Sequence, residues 1–212
     1  LHAPDTYMEK LVVGAPARGK VDLDRPVAEN LKIIADSLNR DVDDLTVIVL
    51  DRPRHEKLVN DIRQAGARIK LIDDGDVIAA ISVAIAGTGV HAVMGTGGAP
   101  EGVLAAAALR CVGAEIVGRH RFRNDEERER AKRMGVSDEK RIYRTEDLAS
   151  GDELRFIATG VTDGELLQGV RFIPRGVLTH SILMDRRTGK LRFISTTHFE
   201  DPKDPPMIRL GS

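Results

Sequence analysis

The feature that most constrains the fold is an alternation between amphipathic helical segments and short β-branched runs, from Asp24 to about His120. Residues 27–38 carry apolar side chains at helical spacing, and they are followed by the compact apolar runs LTVIVL at 45–50 and RIKLI at 68–72. Strands that alternate with helices in this way are typical of βαβ units. We therefore predict an α/β fold with a mostly parallel sheet flanked by helices.

The pattern continues toward the C-terminus and then changes. VHAVM at 90–94 predicts a third strand, and the segment at 98–113 predicts a helix with Pro100 in its first turn. From Leu154 onward, alternating strands are separated by turn signals, and DRRTGK at 185–190 is typical of a hairpin turn. We predict antiparallel strands on the C-terminal side of the domain.

Composition excludes several classes of protein. The 32 Lys and Arg residues balance 33 Asp and Glu residues and aromatic residues make up only 3%, so nucleic-acid binding is not expected. No apolar run approaches the ~20 residues that cross a bilayer. The single cysteine, Cys111, leaves no disulfide within the chain, and its apolar surroundings favour a thiol that packs as a small hydrophobe. We expect a cytoplasmic protein without a membrane segment.

The first residues resemble the middle of a domain rather than its start. The chain opens on Leu1 without an initiator methionine, and a possible turn follows at residues 14–20. We expect residues 1–23 to continue from an N-terminal half that precedes them, and residues 24–212 to form the α/β domain with its antiparallel strands.

Three polar segments each follow a predicted parallel strand. They are DRPRH at 51–55, DDGD at 73–76 and GTGGAPEG at 95–102. In open α/β sheets, ligands gather beyond the carboxyl ends of the strands. The three segments are therefore predicted to meet in one crevice.

The glycine-rich segment does not fit the common nucleotide motifs. G-x-G-x-x-G from Gly95 has Pro100 in its last position, and the G-x-x-x-x-G from Gly97 to Gly102 lacks the following Lys. A glycine turn at a helix start can bind a phosphate or a sugar hydroxyl, or it can serve only to pack helix on strand. Glu101 either stabilises the helix dipole or ligates a hard cation such as Mg²⁺ or Mn²⁺.

The other two segments are charged. Arg52 and Arg54 flank Pro53, which stiffens the loop, and the two guanidinium groups can clamp a phosphate or lie on the surface. The DDGD carboxylates can accept hydrogen bonds from sugar hydroxyls, coordinate a metal, or cap the next helix. No histidine spacing typical of zinc and no nucleophile motif is present, so covalent catalysis is not supported.

Five segments together resemble the class II fructose-1,6-bisphosphatase family of bacteria, including cyanobacterial fructose-/sedoheptulose-bisphosphatases. They occur in order along the chain: YMEKLVVG, DRPRH, DDGDVIAAI, GTGGAPEGVLAAAALR and ATGVTDGELLQGV. The resemblance implies the fold shared with lithium-sensitive sugar and inositol phosphatases. It also implies hydrolysis of the 1-phosphate of fructose 1,6-bisphosphate with Mg²⁺ or Mn²⁺. A sugar bisphosphate is thus the expected ligand, and a homo-oligomer the expected assembly.

The resemblance assigns roles to individual residues. The family's other metal ligands and its water-activating groups belong to an N-terminal half that does not follow Leu1, so we expect this chain to be a substrate-binding portion, inactive alone. The alternative is a non-catalytic domain that senses a sugar phosphate or a nucleotide. The implied substrate contacts are Tyr7, Arg52, Pro53, Arg54, Asp74, Gly75, Asp76 and Gly98, and the implied metal ligand is Glu101.

Overall fold

The computed structural model describes residues 5–136, 138–164 and 166–200. The first half of the chain begins with a strand and then alternates between helices and strands. Its elements are β1 (Tyr7–Val13), α1 (Val27–Leu38), β2 (Thr46–Leu50), α2 (Glu56–Gln64), β3 (Arg68–Ile72), α3 (Asp76–Ser82), β4 (Ala92–Gly98) and α4 (Ala99–Val112). The predicted first helix and first two strands are confirmed, whereas the third strand begins two residues later than predicted and ends at Gly98.

The second half carries short helices and then antiparallel strands. Its elements are β5 (Glu115–Arg121), α5 (Asp125–Arg133), β6 (Tyr143–Arg144), α6 (Thr145–Leu148), β7 (Arg155–Thr159), β8 (Arg171–Ile173), β9 (Gly176–Asp185) and β10 (Lys190–Phe199). Among the helices of the described residues, none is both long and apolar enough to cross a membrane.

The first sheet has the strand order β3-β2-β4-β1-β5-β6. Strand β2 pairs in parallel with β3 and β4, but β1 is antiparallel to both of its neighbours, and β6 is antiparallel to β5. The sheet is therefore mixed, which corrects the mostly parallel arrangement predicted from the sequence. The reason is β1: it precedes the βαβ pattern along the chain, yet it inserts between β4 and β5 and pairs with them along its whole length.

The C-terminal strands form a second, antiparallel sheet in the order β10-β9-β7, with β8 also on β9. Strands β9 and β10 pair from Asp185 and Lys190 to Gly176 and Phe199, on either side of the turn predicted at DRRTGK. The predicted hairpin is confirmed.

The helices α3 and α4 lie between the two sheets. Successive residues of β1 alternate between the faces of the first sheet, so Met8 and Val12 pack toward α3 and α4 while Leu11 and Val13 pack toward α1 and α2. On the far side of α3 and α4, Ile182 and Met184 of the second sheet complete a third apolar cluster. The alanines of α4 allow this close approach on both sides.

Cys111 lies in the layer between the sheets. It is half-buried, it packs against the third cluster, and its Sγ donates to the carbonyl of Ala107 at 3.4 Å. Burial raises the pKa of the thiol. The thiol is thus part of the packing, as the sequence predicted.

Candidate functional site

The candidate site lies at the edge of the first sheet where β2, β3 and β4 end. Two of the three predicted polar segments are indeed loops at this edge, after Leu50 and after Ile72. The glycine-rich segment is not a loop, because Gly95 to Gly98 continue β4 and pair with Lys10 to Tyr7 of β1, and α4 begins directly afterwards. The prediction of a flexible turn there was wrong, since β1 supplies a pairing partner that the local sequence does not reveal.

Arg52 joins the loops after β2 and β3. Pro53 opens a 3₁₀ turn, Pro53–His55, that sets the direction of the chain. The Arg52 guanidinium donates to the carbonyls of Asp51 and Asp73, both at 2.7 Å. These acceptors are neutral, so within the described residues the positive charge of Arg52 is not cancelled by a carboxylate.

Arg54 and Tyr7 lie against each other at the end of β4. Arg54 donates from Nε and Nη2 to the carbonyl of Thr96, at 3.1 and 2.8 Å. Its guanidinium carbon lies 4.9 Å from the centroid of the Tyr7 ring, and that of Arg123 lies 4.8 Å from the same centroid. Two cations thus contact one aromatic ring, an arrangement that favours an anion nearby.

Arg123 was not predicted, and α5 explains its position. The buried Glu127 accepts from the backbone N–H of Arg123 at 2.9 Å and from its Nε at 2.5 Å. These hydrogen bonds to Arg123 hold the pKa of Glu127 below its usual range. Helix α5 is largely exposed, but its buried Glu127 fixes the cation of Arg123 at the site.

The DDGD segment divides between two environments. Gly75 has φ 92° and is the N-terminal capping residue of α3, a conformation that glycine adopts without strain. Asp76 begins the helix, and its Oδ2 accepts from Nζ of Lys10 at 2.6 Å, with the two side chains only 15% and 8% exposed. Asp74 is exposed, and its Oδ1 accepts from the N–H of Gly75 at 2.7 Å.

Neither aspartate caps α3 with its side chain, so the capping alternative is wrong for this helix. Gly75 occupies the capping position, and the buried ammonium of Lys10 holds the carboxylate of Asp76. Lys10 was likewise missed in the sequence, although its place between Met8 and Val12 puts it on the same face of β1 as these core residues.

Gly97 and Gly98 make room for two carboxylates. A Cβ on Gly97 would lie 2.6 Å from Oδ2 of Asp76, and a Cβ on Gly98 would lie 1.8 Å from Oε2 of Glu101. Gly98 is paired with Tyr7, and cross-strand partners share a face of the sheet. Glu101 therefore lies beside Tyr7.

The predicted residues thus meet at one edge but on its two faces. Tyr7, Gly98 and Glu101 share one face, where Arg54 contacts the Tyr7 ring. The Lys10–Asp76 pair occupies the other face beside Gly97. A ligand that contacts both groups has to lie across the end of β4.

His55 holds the ends of β2 and β4 together. It is 3% exposed; its Nδ1 lies 2.7 Å from the carbonyl oxygen of Leu50, and its Nε2 accepts from the N–H of Thr96 at 2.8 Å. Burial lowers the pKa of His55. The ring is therefore neutral with its proton on Nδ1, and it fixes the backbone of Thr96 to which Arg54 binds.

Carboxylates suited to a cation occur in two places. Within the described residues, Asp41, Asp43 and Asp44 place ligand oxygens within 4.8 Å of one another, but they are exposed and precede β2, at the opposite end of that strand from Arg52. At the candidate site, Glu101 offers an oxygen of the type that Mg²⁺ and Mn²⁺ prefer. Glu101 fits as one ligand of such a metal, and Asp76 is already held by Lys10.

The chain is an α/β protein in which the ends of neighbouring strands bring arginines and carboxylates together around Gly97 and Gly98. Such a site is suited to an anionic ligand that carries hydroxyl groups. Residues 1–198 match the family described as bacterial fructose-1,6-bisphosphatase, glpX-encoded. The chain belongs to this family, which confirms the resemblance seen in its sequence.

Relatives support the same family. The chain is 47% identical to the D-fructose 1,6-bisphosphatase class 2/sedoheptulose 1,7-bisphosphatase of Synechococcus sp. (strain JA-3-3Ab), over 99% of this chain and 64% of the relative. It is 45% identical to the protein of the same name from Trichodesmium erythraeum (strain IMS101), over 93% of this chain and 61% of the relative. It is 44% identical to that of Synechocystis sp. (strain ATCC 27184 / PCC 6803 / Kazusa), over 98% of this chain and 63% of the relative. The chain thus spans less than two thirds of the length of these relatives.

Proposed function

We propose that this chain is the substrate-binding portion of a cytoplasmic, metal-dependent phosphatase. The reaction is hydrolysis of the 1-phosphate of fructose 1,6-bisphosphate, giving fructose 6-phosphate and phosphate. The observation that carries the proposal is the cluster of Arg54, Tyr7 and Glu101 around Gly98 in a member of this family.

In this proposal, Arg52 and Arg54 bind the phosphate that is not cleaved. Both guanidinium groups are held by backbone carbonyls, which fix their position without cancelling their charge. Charge-assisted hydrogen bonds from arginine to phosphate are roughly twice as strong as neutral ones. The Tyr7 ring supports the Arg54 guanidinium from one side.

The carboxylates have separate tasks. Asp74 and Asp76 accept hydrogen bonds from sugar hydroxyls, and Lys10 keeps the Asp76 carboxylate in one orientation. Glu101 would hold one metal ion, Mg²⁺ or Mn²⁺, and the chemistry that such an ion would supply is Lewis-acid activation of the phosphoryl group and of an attacking water. We propose that the other metal ligands and the groups that activate water belong to residues outside this chain.

Replacement of Glu101 tests the proposal. In the full-length enzyme, Glu101→Gln is expected to lower turnover with Mn²⁺ by more than about 100-fold, because losing even a group that orients a metal ligand costs ~10–100-fold. The measurement is phosphate release at saturating substrate, with circular dichroism to verify folding.

Glu129→Gln is the matched control, because Glu129 lies on the exposed part of α5 and pairs only with Lys132 within the described residues. Equal turnover of the two variants would remove Glu101 from the metal site and contradict the proposal.

A non-catalytic sugar-phosphate or nucleotide sensor is the second candidate. It is favoured by one observation: within the described residues, the carboxylates that cluster closely enough to share a metal are Asp41, Asp43 and Asp44, and these precede β2, at the opposite end of that strand from the arginines. Full-length protein that binds fructose 1,6-bisphosphate in calorimetry but releases no phosphate with Mn²⁺ would establish this second function instead.

A further inference from the structure

A groove opens beside Asp74, between the edge of the first sheet and the loop that follows β7. Its volume is about 420 Å³. One wall is the Asp74–Gly75 turn and the other is the segment of residues 159–164, which we call the 159–164 segment. The floor between them is apolar and consists of Ile48, Ile72, Ile78, Ala79 and Leu167.

The 159–164 segment is held in a fixed conformation. The N–H of Gly160 donates to the carbonyl of His180 at 3.0 Å, and the N–H of Gly164 donates to that of Leu167 at 3.0 Å. A Cβ on Gly160 would lie 2.1 Å from the carbonyl oxygen of Gln168, so only glycine allows this approach. The wall of the groove is therefore held by backbone hydrogen bonds and by the close packing of a glycine.

Asp163 closes the base of the same loop. Its carboxylate accepts from the N–H of Gly169 at 2.9 Å and from Nη2 of Arg171 at 2.7 and 2.8 Å. The hydrogen bonds from Arg171 hold the pKa of Asp163 below its usual range. With Asp163 committed in this way, the groups that the segment presents to a ligand include Val161, which is 78% exposed, and the exposed Thr162.

The chemistry of the groove selects a neutral, hydroxylated ligand group. An apolar floor contacts C–H groups, while the Asp74 carboxylate and the Thr162 hydroxyl on its rim bind hydroxyl groups. The acidic rim disfavours a phosphate. The phosphate-binding arginines, Arg52 and Arg54, follow the neighbouring strand β2 instead.

We infer that this groove binds the hydroxylated carbon chain of the sugar phosphate and determines which chain lengths the site accepts. The inference rests on the proposed function. A seven-carbon bisphosphate has one more CHOH group than a six-carbon one, and the room between Asp74 and the 159–164 segment accommodates it. Thr162 and Val161 are thus specificity-determining residues.

Filling the groove tests the inference. Val161→Trp in the full chain is expected to weaken binding of sedoheptulose 1,7-bisphosphate at least about 10-fold more than binding of fructose 1,6-bisphosphate, because a steric mismatch of this size is worth ~10–200-fold. Thr162→Val is expected to weaken binding of the seven-carbon ligand alone, by about 3–10-fold, through loss of one hydrogen bond. The measurement is calorimetric titration with each bisphosphate.

Ile157→Trp is the matched control, because Ile157 is also exposed, at 63%, and lies on β7 outside the groove lining. It should bind both ligands as the wild type does. Equal effects of Val161→Trp on both ligands, or none, would overturn the inference while leaving the proposed function intact. A wild-type chain that binds neither bisphosphate would overturn both.

Discussion

At the scale of residues, the pair of Lys10 and Asp76 shows how a charge is stabilised inside this fold. Both side chains are largely buried, and the 2.6 Å hydrogen bond between them is charge-assisted. Leaving one partner alone in such surroundings is more damaging than losing an exposed ion pair, since the remaining charge has no compensation.

Removing Lys10 should therefore destabilise the protein strongly. Lys10→Met is expected to lower the free energy of unfolding by about 3–5 kcal/mol, because it leaves Asp76 unpaired. Urea unfolding followed by circular dichroism gives this value.

Lys57→Met is the matched control, since it removes an exposed pair with Asp61 in which the lysine side chain is 87% exposed. This change should be worth less than about 0.5 kcal/mol. Similar losses in the two variants would show that the Lys10–Asp76 pair contributes no more than a surface pair.

Some of the predicted site residues have positions that follow from a strand end alone, whereas Tyr7 was predicted only through the family resemblance. Arg52, Arg54 and Asp74 come directly after β2 and β3, so the strand pattern sufficed to bring them to one edge. Arg123 and Lys10 could not be predicted, because their positions depend on contacts with Tyr7 and Asp76, which are distant in sequence.

At the scale of elements, β1 and β4 define the site. The glycines at 95–98 indicate a turn when considered locally, but in the fold they are part of a strand because each of them is paired with a residue of β1. A central strand from outside the βαβ pattern is what sequence periodicity cannot reveal, since periodicity reports burial and not pairing.

The hydrogen bonds by which His55 joins β2 and β4 should make the stability of the protein depend on pH. The folded chain keeps this ring neutral, with its pKa lowered by burial, whereas the unfolded chain takes up the proton at about pH 6.5. The unfolded state therefore binds more protons as the pH falls. The free energy of unfolding should be highest above about pH 7.5 and should decrease as the pH falls below about 6.5, where the unfolded chain takes up the proton.

Burial also lowers the pKa values of His91 and His120, so these residues add to the same slope. Urea unfolding across this pH range measures the decrease. His55→Gln should show a smaller decrease than the wild type, because an amide can donate and accept without titrating. Identical slopes for the two proteins would contradict the assigned role of His55.

At the scale of the whole molecule, the two sheets enclose the layer of α3 and α4. The strand ends of the first sheet lie near a loop of the second sheet. The end of the first sheet carries the arginines and Glu101, and the loop after β7 of the second sheet forms the far wall of the groove at Asp74. The sequence predicts both sheets in outline. It could not predict that they line one groove at Asp74, because the two walls of that groove come from segments about 85 residues apart in the sequence.

Arg54 is the residue through which we propose that this edge binds the phosphate of a sugar bisphosphate. The direct measurement is calorimetric titration of fructose 1,6-bisphosphate into the wild-type chain, Arg54→Ala and Arg63→Ala. Arg63 is an exposed residue of α2 whose replacement changes the net charge equally. Arg54→Ala should bind about 10–100-fold more weakly than the wild type, as expected for losing a charge-assisted hydrogen bond, while Arg63→Ala binds normally. Equal affinity of the two variants would contradict the assignment of this edge as the substrate site.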